Sequence, residues 1–136
     1  MTRTDFFHTL RVYWEDTDAG GVVFFANYLK FFERARTEWL RAMGFGQERL
    51  RTDTGAIFVV ADTSVRYFSP ARLDDELKVT VQVTEAGRAS MTLAQQAWRG
   101  DALLAQGSIR IGCVDSGTFR PRRIPNELLS ILEACP

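Results

Sequence analysis

Apolar and polar residues alternate at the start of the chain and then change to a helical period. Residues 5–14, DFFHTLRVYW, alternate loosely and are rich in aromatic and β-branched residues, which predicts a strand. From Asn27 onward, apolar residues recur every three or four positions, which predicts one long amphipathic helix. Its expected apolar face consists of Tyr28, Phe32, Ala35, Trp39 and Met43, widened by Leu29 and Leu40. Gly44 is expected to end the helix, whose polar side carries Lys30, Glu33, Arg34, Arg36, Glu38 and Arg41.

Beyond an irregular stretch at residues 45–55, the pattern has period two and predicts four more strands. These strands are AIFVVADTSVRYF, ELKVTVQVTEAG, RASMTLAQQAWRG and ALLAQGSIRIGCVD. Residues expected to share buried faces are Val79, Val81 and Val83, then Met91 and Leu93, and finally Ile109, Ile111 and Cys113. Residues 85–87 and 99–101 are typical of hairpin turns. Leu128–Leu132 predicts a short last helix.

These elements predict an α+β fold with two layers. Hairpins force neighbouring strands to run antiparallel, so the helix is expected to pack on one antiparallel sheet of about five strands. The 136 residues fit a single domain, 1–136, with no internal repeat or linker. A chain of this length buries about two-thirds of its surface on folding, so its core needs no covalent support.

Composition and charge exclude several function classes. The 17 acidic and 17 basic residues give a net charge of zero, which does not favour nucleic acid or an anionic membrane as a partner. Two cysteines, Cys113 and Cys135, form neither a disulfide framework nor a zinc site. No apolar run approaches the roughly 20 residues of a membrane span, and the N-terminus lacks a signal-peptide core. We therefore expect a soluble cytoplasmic protein without a metal.

The stretch EDTDAGGVVFFANY, residues 15–28, has the densest candidate chemistry and permits several interpretations. Asp16, Asp18 and Gly21 match the start of a calcium-binding loop, but Asn27 stands where a bidentate acid is required and no helix is predicted before the loop. A metal-assisted phosphoryl-transfer site would need further carboxylates, for which Asp74-Asp75-Glu76 is the available source. The simplest interpretation is a turn in which aspartates accept backbone hydrogen bonds.

A sharper interpretation uses the helix that follows this stretch. The N-terminus of a helix presents unpaired amide donors and a partial positive charge. Gly20 and Gly21 would let a ligand approach the backbone closely. An acyl carbonyl held there would have its developing oxyanion stabilised, while a carboxylate from the turn attacked it or deprotonated a water.

The motif VYWEDTDAGGVVFFANYLKFFERARTEWLR resembles the signature of the 4-hydroxybenzoyl-CoA thioesterase family. The similarity continues through VRYFSPARLDDELKVTV and RPRRIPNEL, so it spans nearly the whole chain. Within the family, it is most similar to the small bacterial acyl-CoA thioesterases associated with the Tol-Pal system. The resemblance implies a hotdog fold, in which the sheet wraps around the long helix, and hydrolysis of an acyl-CoA to free acid and CoA. It also implies a homo-oligomer, usually a tetramer built as a dimer of dimers, with active sites at the dimer interface.

The resemblance assigns roles to individual residues. The catalytic carboxylate falls on Asp18, as nucleophile or general base, and Asp16 shapes the turn. The backbone amide of Phe25 is the implied oxyanion donor. Substrate-binding positions fall on Gly20, Gly21, Val22, Asn27, Tyr28, Arg88 and Ser90, with Arg88 matching a residue that binds CoA phosphates in the family. No separate cofactor is implied, because CoA is part of the substrate.

Phe25 is a departure, because the Tol-Pal-associated branch typically has histidine there. Phenylalanine exchanges no protons, so a mechanism that needs a histidine at this position is in doubt. The chain's only histidine, His8, is expected to be structural, and serines 64, 69 and 90 lack a partner histidine for a triad. Two alternatives stay open: a hotdog hydratase or dehydratase, which needs an acid–base pair, and an oligomer that binds acyl-CoA or protein without turnover.

Overall fold

The computed structural model describes residues 6–133 and contains one five-stranded antiparallel sheet. The strands are β1 (Phe6–Arg11), β2 (Ala56–Tyr67), β3 (Glu76–Ala86), β4 (Ser90–Arg99) and β5 (Ala102–Asp115). Their spatial order is β1-β3-β4-β5-β2, so β1 and β2 are the edge strands. The α+β class and the antiparallel sheet are confirmed. No helix within residues 6–133 has the length and hydrophobicity to cross a membrane.

The strand faces agree with the period-two pattern, whereas some strand ends do not. All eight residues predicted to share buried faces are buried: Val79, Val81, Val83, Met91, Leu93, Ile109, Ile111 and Cys113. The first strand ends at Arg11 rather than at Trp14, because the chain turns into a short 3-10 helix at Trp14–Asp16. The start of that predicted strand, Asp5, lies outside the described residues, as does Cys135.

The long helix α1 (Asn27–Ala42) packs its apolar face against the sheet. Its buried residues are Tyr28, Phe31, Phe32, Ala35, Arg36, Trp39 and Leu40. Two predictions about its faces were wrong: Leu29 is 43% exposed, and Arg36, expected on the polar side, is buried. The helix ends as predicted, because Gly44 adopts a φ of 90°, a left-handed conformation that favours glycine.

Arg36 of α1 is buried together with Gln95 of β4. The Gln95 side chain accepts a hydrogen bond from the guanidinium, which allows this charged group to be buried between the helix and the sheet. Arg36 Nη1 donates to Gln95 Oε1 at 2.9 Å, and Gln95 Nε2 donates to the carbonyls of Phe32 and Thr80 at 3.0 and 3.2 Å. Burial lowers the pKa of Arg36, and nearby Glu33 opposes this effect. A periodicity pattern cannot reveal such a pair, because Gln95 comes from another element.

Two shorter helices complete the fold. Helix α2 (Gln47–Thr54) lies where an irregular stretch was predicted. The prediction missed this helix because only one of its residues, Leu50, is buried, so the sequence shows no apolar period there. Its end is nevertheless marked by Gly55, which has a φ of 78°. Helix α3 (Asn126–Glu133) includes the predicted segment and buries Leu128, Leu129 and Leu132.

The connections between elements lie at two opposite ends of the sheet. One end, which we call the Asp18 end, contains residues 12–26, 68–75 and 100–101. Three pairs of strand-end residues meet there: Arg11–Glu76, Tyr67–Ala105 and Arg99–Ala102. Residues 87–89, between β3 and β4, lie at the other end, which we call the Arg88 end. Helix α1 begins at the Asp18 end, since the connection from β1 leads into it.

Candidate active site

Residues 16–24 form a small hairpin, the Asp18 hairpin, between the 3-10 helix and α1. Asp18 N–H donates to the carbonyl of Val22 at 2.9 Å, and Thr17 pairs with Val23. Gly21 N–H donates to the carbonyl of Asp18 at 3.1 Å, and Gly21 has a φ of 79°, which explains the glycine at this turn. The hairpin therefore gives Asp18 a defined backbone position.

The Asp18 side chain is exposed, and one of its oxygens is held in place. Oδ1 accepts a hydrogen bond from Gly20 N–H at 2.8 Å. A Cβ at Gly20 would lie 3.2 Å from that same oxygen, so a larger residue would crowd the carboxylate. Within residues 6–133, no other hydrogen bond or ion pair engages this carboxylate. Asp18 is thus an oriented carboxylate with one oxygen open to solvent.

Asp16 has the structural role that the sequence predicted. It is buried, and its Oδ2 accepts a hydrogen bond from Tyr13 N–H at 2.8 Å. Its backbone carbonyl accepts from Phe24 N–H at 3.0 Å and from Asn27 Nδ2 at 2.8 Å. Asp16 therefore joins the start of the Asp18 hairpin to the start of α1. The Asn27 side chain, predicted to bind substrate, is used in this tie.

The backbone N–H of Phe25 has an orientation that suits an oxyanion donor. Asn27 N–H donates to the carbonyl of Phe24 at 2.8 Å, which directs that carbonyl toward the helix. In a trans peptide the C=O and N–H point in opposite directions, so Phe25 N–H points away from α1. Neither Phe25 N–H nor Ala26 N–H donates to an acceptor in the described part of the chain. Two amide donors are therefore free at the N-terminus of α1.

An aromatic cleft of about 270 Å³ adjoins these donors. Phe25 and Tyr67 pack edge to face with ring centroids 6.2 Å apart, and Tyr28 packs on Tyr67 at 5.4 Å. Tyr67 Oη donates to the carbonyl of Phe25 at 3.0 Å, which ties the helix start to the end of β2. The cleft is lined by Val23, Phe25, Tyr28, Tyr67, Phe68, Ser69 and Pro70. An apolar acyl group is the kind of ligand that such walls accommodate.

Tyr28 contributes to this cleft with its ring, while its hydroxyl is used structurally. The side chain is buried, and Oη accepts a hydrogen bond from Ala71 N–H at 3.0 Å. Burial raises the pKa of Tyr28, although the bond from Ala71 acts in the opposite direction. Burial also raises the pKa of Tyr67. Both hydroxyls therefore stay protonated at neutral pH.

The structure does not bring Arg88 and Ser90 to this cleft within one chain. Ser90 begins β4 at the Arg88 end, whereas Arg99 ends β4 at the Asp18 end. Nine residue steps of about 3.3 Å separate them by roughly 30 Å. Arg88 is exposed, and its backbone carbonyl accepts from Ile124 N–H at 2.8 Å. A site that uses both Asp18 and Arg88 would have to combine residues from two copies of the chain.

Other candidate groups lie elsewhere. His8 is in β1 opposite Val79. Cys113 is buried, and that burial raises the pKa of its thiol, which makes it a poor nucleophile. Among residues 6–133, no cluster of three or more histidine, cysteine, aspartate or glutamate residues could hold a metal. Larger depressions of about 480 and 490 Å³ border neither the start of α1 nor the Asp18 hairpin.

Several residues that build this site were missing from the sequence prediction. Tyr67 and Phe68 supply cleft walls, and Asp75 and Arg99 hydrogen-bond around the segment beside it. Asp75 was considered as one of the carboxylates that a metal-assisted phosphoryl-transfer site would need. The available signal was the family resemblance, which extends through VRYFSPARLDDELKVTV and so covers Tyr67, Phe68 and Asp75.

Comparison with known proteins places the whole chain in one group. A family model described as the thioesterase-like superfamily matches residues 12–132. The acyl-CoA thioesterase YbgC of Haemophilus influenzae is 41% identical over 128 residues, which cover 94% of each chain. The acyl-CoA thioester hydrolase YbgC of Escherichia coli is 40% identical over 131 residues, covering 96% of this chain and 97% of the relative.

A solved structure supports the same relationship. A probable thioesterase from Bartonella henselae superimposes with a TM-score of 0.84 at 32% sequence identity. The match covers 88% of this chain and 98% of that one. The two chains therefore share the same overall fold.

Proposed function

This chain belongs to the thioesterase-like superfamily, and we propose that it hydrolyses acyl-CoA with Asp18 as nucleophile or general base and Phe25 N–H as oxyanion donor. Relatives about 40% identical over nearly the full length make it an acyl-CoA thioesterase, which confirms the predicted family and enzyme class. One observation carries the mechanism: an unpaired amide at the start of α1 stands beside a hairpin that presents an oriented carboxylate.

The proposed chemistry needs only these groups and water. As a general base, Asp18 takes a proton from water while the resulting hydroxide attacks the thioester carbonyl, and the tetrahedral intermediate then expels CoA as a thiolate and leaves the free acid. As a nucleophile, Asp18 attacks directly, expels CoA as a thiolate and leaves a mixed anhydride that water then hydrolyses. In both routes the carbonyl oxygen gains negative charge, which a free backbone donor and the helix N-terminus stabilise.

We propose that the aromatic cleft binds the acyl group. Its walls are mainly rings, and Phe25 supplies both a wall and the proposed oxyanion donor. Because the N–H belongs to the backbone, a phenylalanine in place of the histidine typical of the Tol-Pal-associated branch leaves this donor intact. Gly20, Gly21 and Val22 form the turn of the Asp18 hairpin, where the thioester would approach.

We propose that the complete site includes a second copy of the chain. Edge strand β2 has no neighbour on one side in the described chain, and Val60, Tyr67 and Phe68 near that edge are exposed. Arg88 and Ser90 lie roughly 30 Å from the Asp18 end of the same chain. We therefore expect these two residues of a second copy to contact the CoA that is bound at the Asp18 end of the first. A dimer of dimers and a Tol-Pal association stay predictions of the resemblance, and a cytoplasmic location stays a prediction from the sequence composition.

The test is thiol release from short, long and aromatic acyl-CoAs by wild type and by Asp18→Asn. We expect a loss of kcat of at least 100-fold, because asparagine neither deprotonates water nor attacks the carbonyl. Asp53→Asn, on the exposed side of α2, is the matched control for loss of one carboxylate and should retain activity. Full activity in Asp18→Asn would remove it as the catalyst. No thiol release from any substrate in wild type would favour the non-catalytic alternative.

A further inference from the structure

The segment Pro70–Arg72, which we call the support segment, lies directly against the Asp18 hairpin. Val23 N–H donates to the carbonyl of Ala71 at 2.8 Å, and Val22 pairs with Arg72. Val22 also accepts the hydrogen bond from Asp18 N–H. The support segment therefore fixes the position of Val22 and Val23, and Val22 in turn holds the backbone of Asp18.

Every backbone polar group of the support segment has a partner. Beyond the Ala71 carbonyl, which accepts from Val23, Ala71 N–H donates to Tyr28 Oη at 3.0 Å. The Pro70 carbonyl accepts from Arg99 Nη1 at 3.2 Å, and Arg72 N–H donates to Asp75 Oδ2 at 2.8 Å. The Arg72 carbonyl accepts from Asp75 N–H at 3.1 Å, and proline has no N–H to satisfy. Tyr28 of α1, Arg99 of β4 and Asp75, which directly precedes β3, thus hold a three-residue segment.

Asp75 and Arg99 are the charged part of this arrangement and bind each other. Arg99 Nη1 lies 2.9 Å from Asp75 Oδ2, and the two side chains are only 37% and 22% exposed, respectively. Partial burial disfavours the ionised Asp75, but hydrogen bonds from Arg72 N–H and Arg99 outweigh it and lower the pKa of Asp75. The pair is therefore charged at neutral pH and stronger than a fully exposed ion pair.

Asp75 also contacts the chain that leads into the Asp18 hairpin. Its backbone carbonyl accepts from Val12 N–H at 2.9 Å. The next residue, Tyr13, donates its N–H to Asp16 Oδ2, at the point where the hairpin begins. Asp75 thus contacts the chain that enters the Asp18 hairpin as well as the segment that supports its return arm.

We infer that Asp75 and Arg99 are positioning residues that hold the Asp18 hairpin at a set distance from the start of α1. This inference rests on the proposed function, because it concerns the placement of the proposed catalytic carboxylate. Tyr28 fastens the support segment to α1 and Arg99 fastens it to β4, while Asp75 links it to Val12, directly after β1. Neither charged side chain needs to touch substrate.

The experiment compares Asp75→Asn and Arg99→Met with two controls that remove the same charges. Asp74→Asn neutralises a neighbouring carboxylate that makes no side-chain hydrogen bond among the described residues, and asparagine tolerates the φ of 71° at that position. Arg49→Met removes an exposed arginine from α2. A displacement of about 1 Å can cost roughly 100-fold in rate. We therefore expect kcat to fall by about 10- to 100-fold, with little change in KM, in Asp75→Asn and Arg99→Met but in neither control. Arg99→Lys, which keeps one charged donor, should recover part of the rate.

Two further readouts separate positioning from loss of stability and from failure of the proposed function. In an Asp18→Asn background, Asp75→Asn should lower the residual rate no further, whereas a general loss of folded protein would lower it again. Hydrogen exchange at Val23 N–H should be faster in Asp75→Asn than in Asp74→Asn. An unchanged kcat and unchanged Val23 exchange in Asp75→Asn would overturn the inference even if Asp18 is the catalyst. Activity that survives Asp18→Asn rejects the proposed catalyst, while Val23 exchange still tests whether the pair holds the hairpin.

Discussion

The hydroxyl of Tyr67, at the end of β2, donates a hydrogen bond of 3.0 Å to the carbonyl of Phe25, two residues before α1. This bond holds the Phe25–Ala26 peptide and keeps the ring of Tyr67 against that of Phe25. It therefore joins a wall of the aromatic cleft to the carbonyl side of Phe25, the residue whose own N–H, one peptide earlier, we propose as oxyanion donor. Residues 42 positions apart in sequence are brought together by this contact.

Tyr67→Phe removes this hydroxyl and keeps the ring. A typical hydrogen bond contributes about 1 kcal/mol, so we expect kcat to fall by roughly 2- to 10-fold as the Phe25 peptide gains freedom. Steady-state thiol release measures the effect. Tyr13→Phe is the control, because the exposed Tyr13 hydroxyl makes no hydrogen bond to a described residue. Equal effects of the two substitutions would contradict a role for the Tyr67–Phe25 bond.

Phe25→His tests whether the backbone or the side chain of position 25 serves catalysis. The substitution leaves the N–H in place, so we expect activity within a few-fold of wild type across the acyl-CoA panel. Phe25→Ala, which also keeps the N–H, should raise KM by removing a wall of the cleft. A large gain of rate in Phe25→His, with a new dependence on a group titrating near neutral pH, would assign the missing chemistry to histidine.

Mixing two inactive variants tests whether Arg88 acts on a partner's substrate. Arg88→Met and Asp18→Asn should each be weak alone, whereas co-folded mixtures should recover about a quarter of wild-type activity, because half of the dimers then hold one intact site of two. The reference is wild type mixed with a variant that carries both Arg88→Met and Asp18→Asn, which measures the activity left when wild-type chains are diluted by inactive ones. No recovery, with mixed oligomers demonstrated by mass spectrometry, would place both residues in one chain's site or remove Arg88 from it.

Gln95→Leu should destabilise the fold from within the core. Arg36 would lose the acceptor of its Nη1 hydrogen bond while staying buried, which costs about 1–3 kcal/mol in the free energy of unfolding. Urea unfolding measures the change. Gln82→Leu, at an exposed position of β3, is the matched control and should change stability by less than about 0.5 kcal/mol. Similar losses for the two variants would show that the Arg36–Gln95 bond is not important.

The ion pair of Asp75 predicts an acid dependence of stability. Its pKa is lowered in the folded state, so the folded protein binds fewer protons than the unfolded chain at mildly acidic pH. The contribution of Asp75 is therefore complete above its unfolded pKa of about 4 and is lost as the pH falls through the lower folded value. The difference in unfolding free energy between wild type and Asp75→Asn should be full at pH 7 and should shrink progressively as the pH is lowered below about 4. A difference that persists unchanged at low pH would contradict this linkage.

The sequence predicted most of the fold because its main signals are local. Periods of 3.6 and 2 residues report which face of a helix or strand is apolar, and this located α1, the five strands and the buried faces of β3, β4 and β5. The same signal missed α2, which buries a single leucine, and misplaced Arg36, whose partner Gln95 lies in another strand. Asp16 and Asp18 could be separated by position in the motif, and the structure gives Asp16 the turn-shaping bonds that the separation implied.

The sequence alone therefore determined the α+β class, the helix that follows the Asp18 turn, and the family to which that motif belongs. Only the tertiary structure decided that Tyr67 and Phe68 face Phe25, that Asp75 and Arg99 hold the support segment, and that Arg88 lies at the opposite end of β4. The physical reason is that an apolar period records burial along one element, whereas contacts between elements depend on strand register and on the direction in which each strand crosses the sheet.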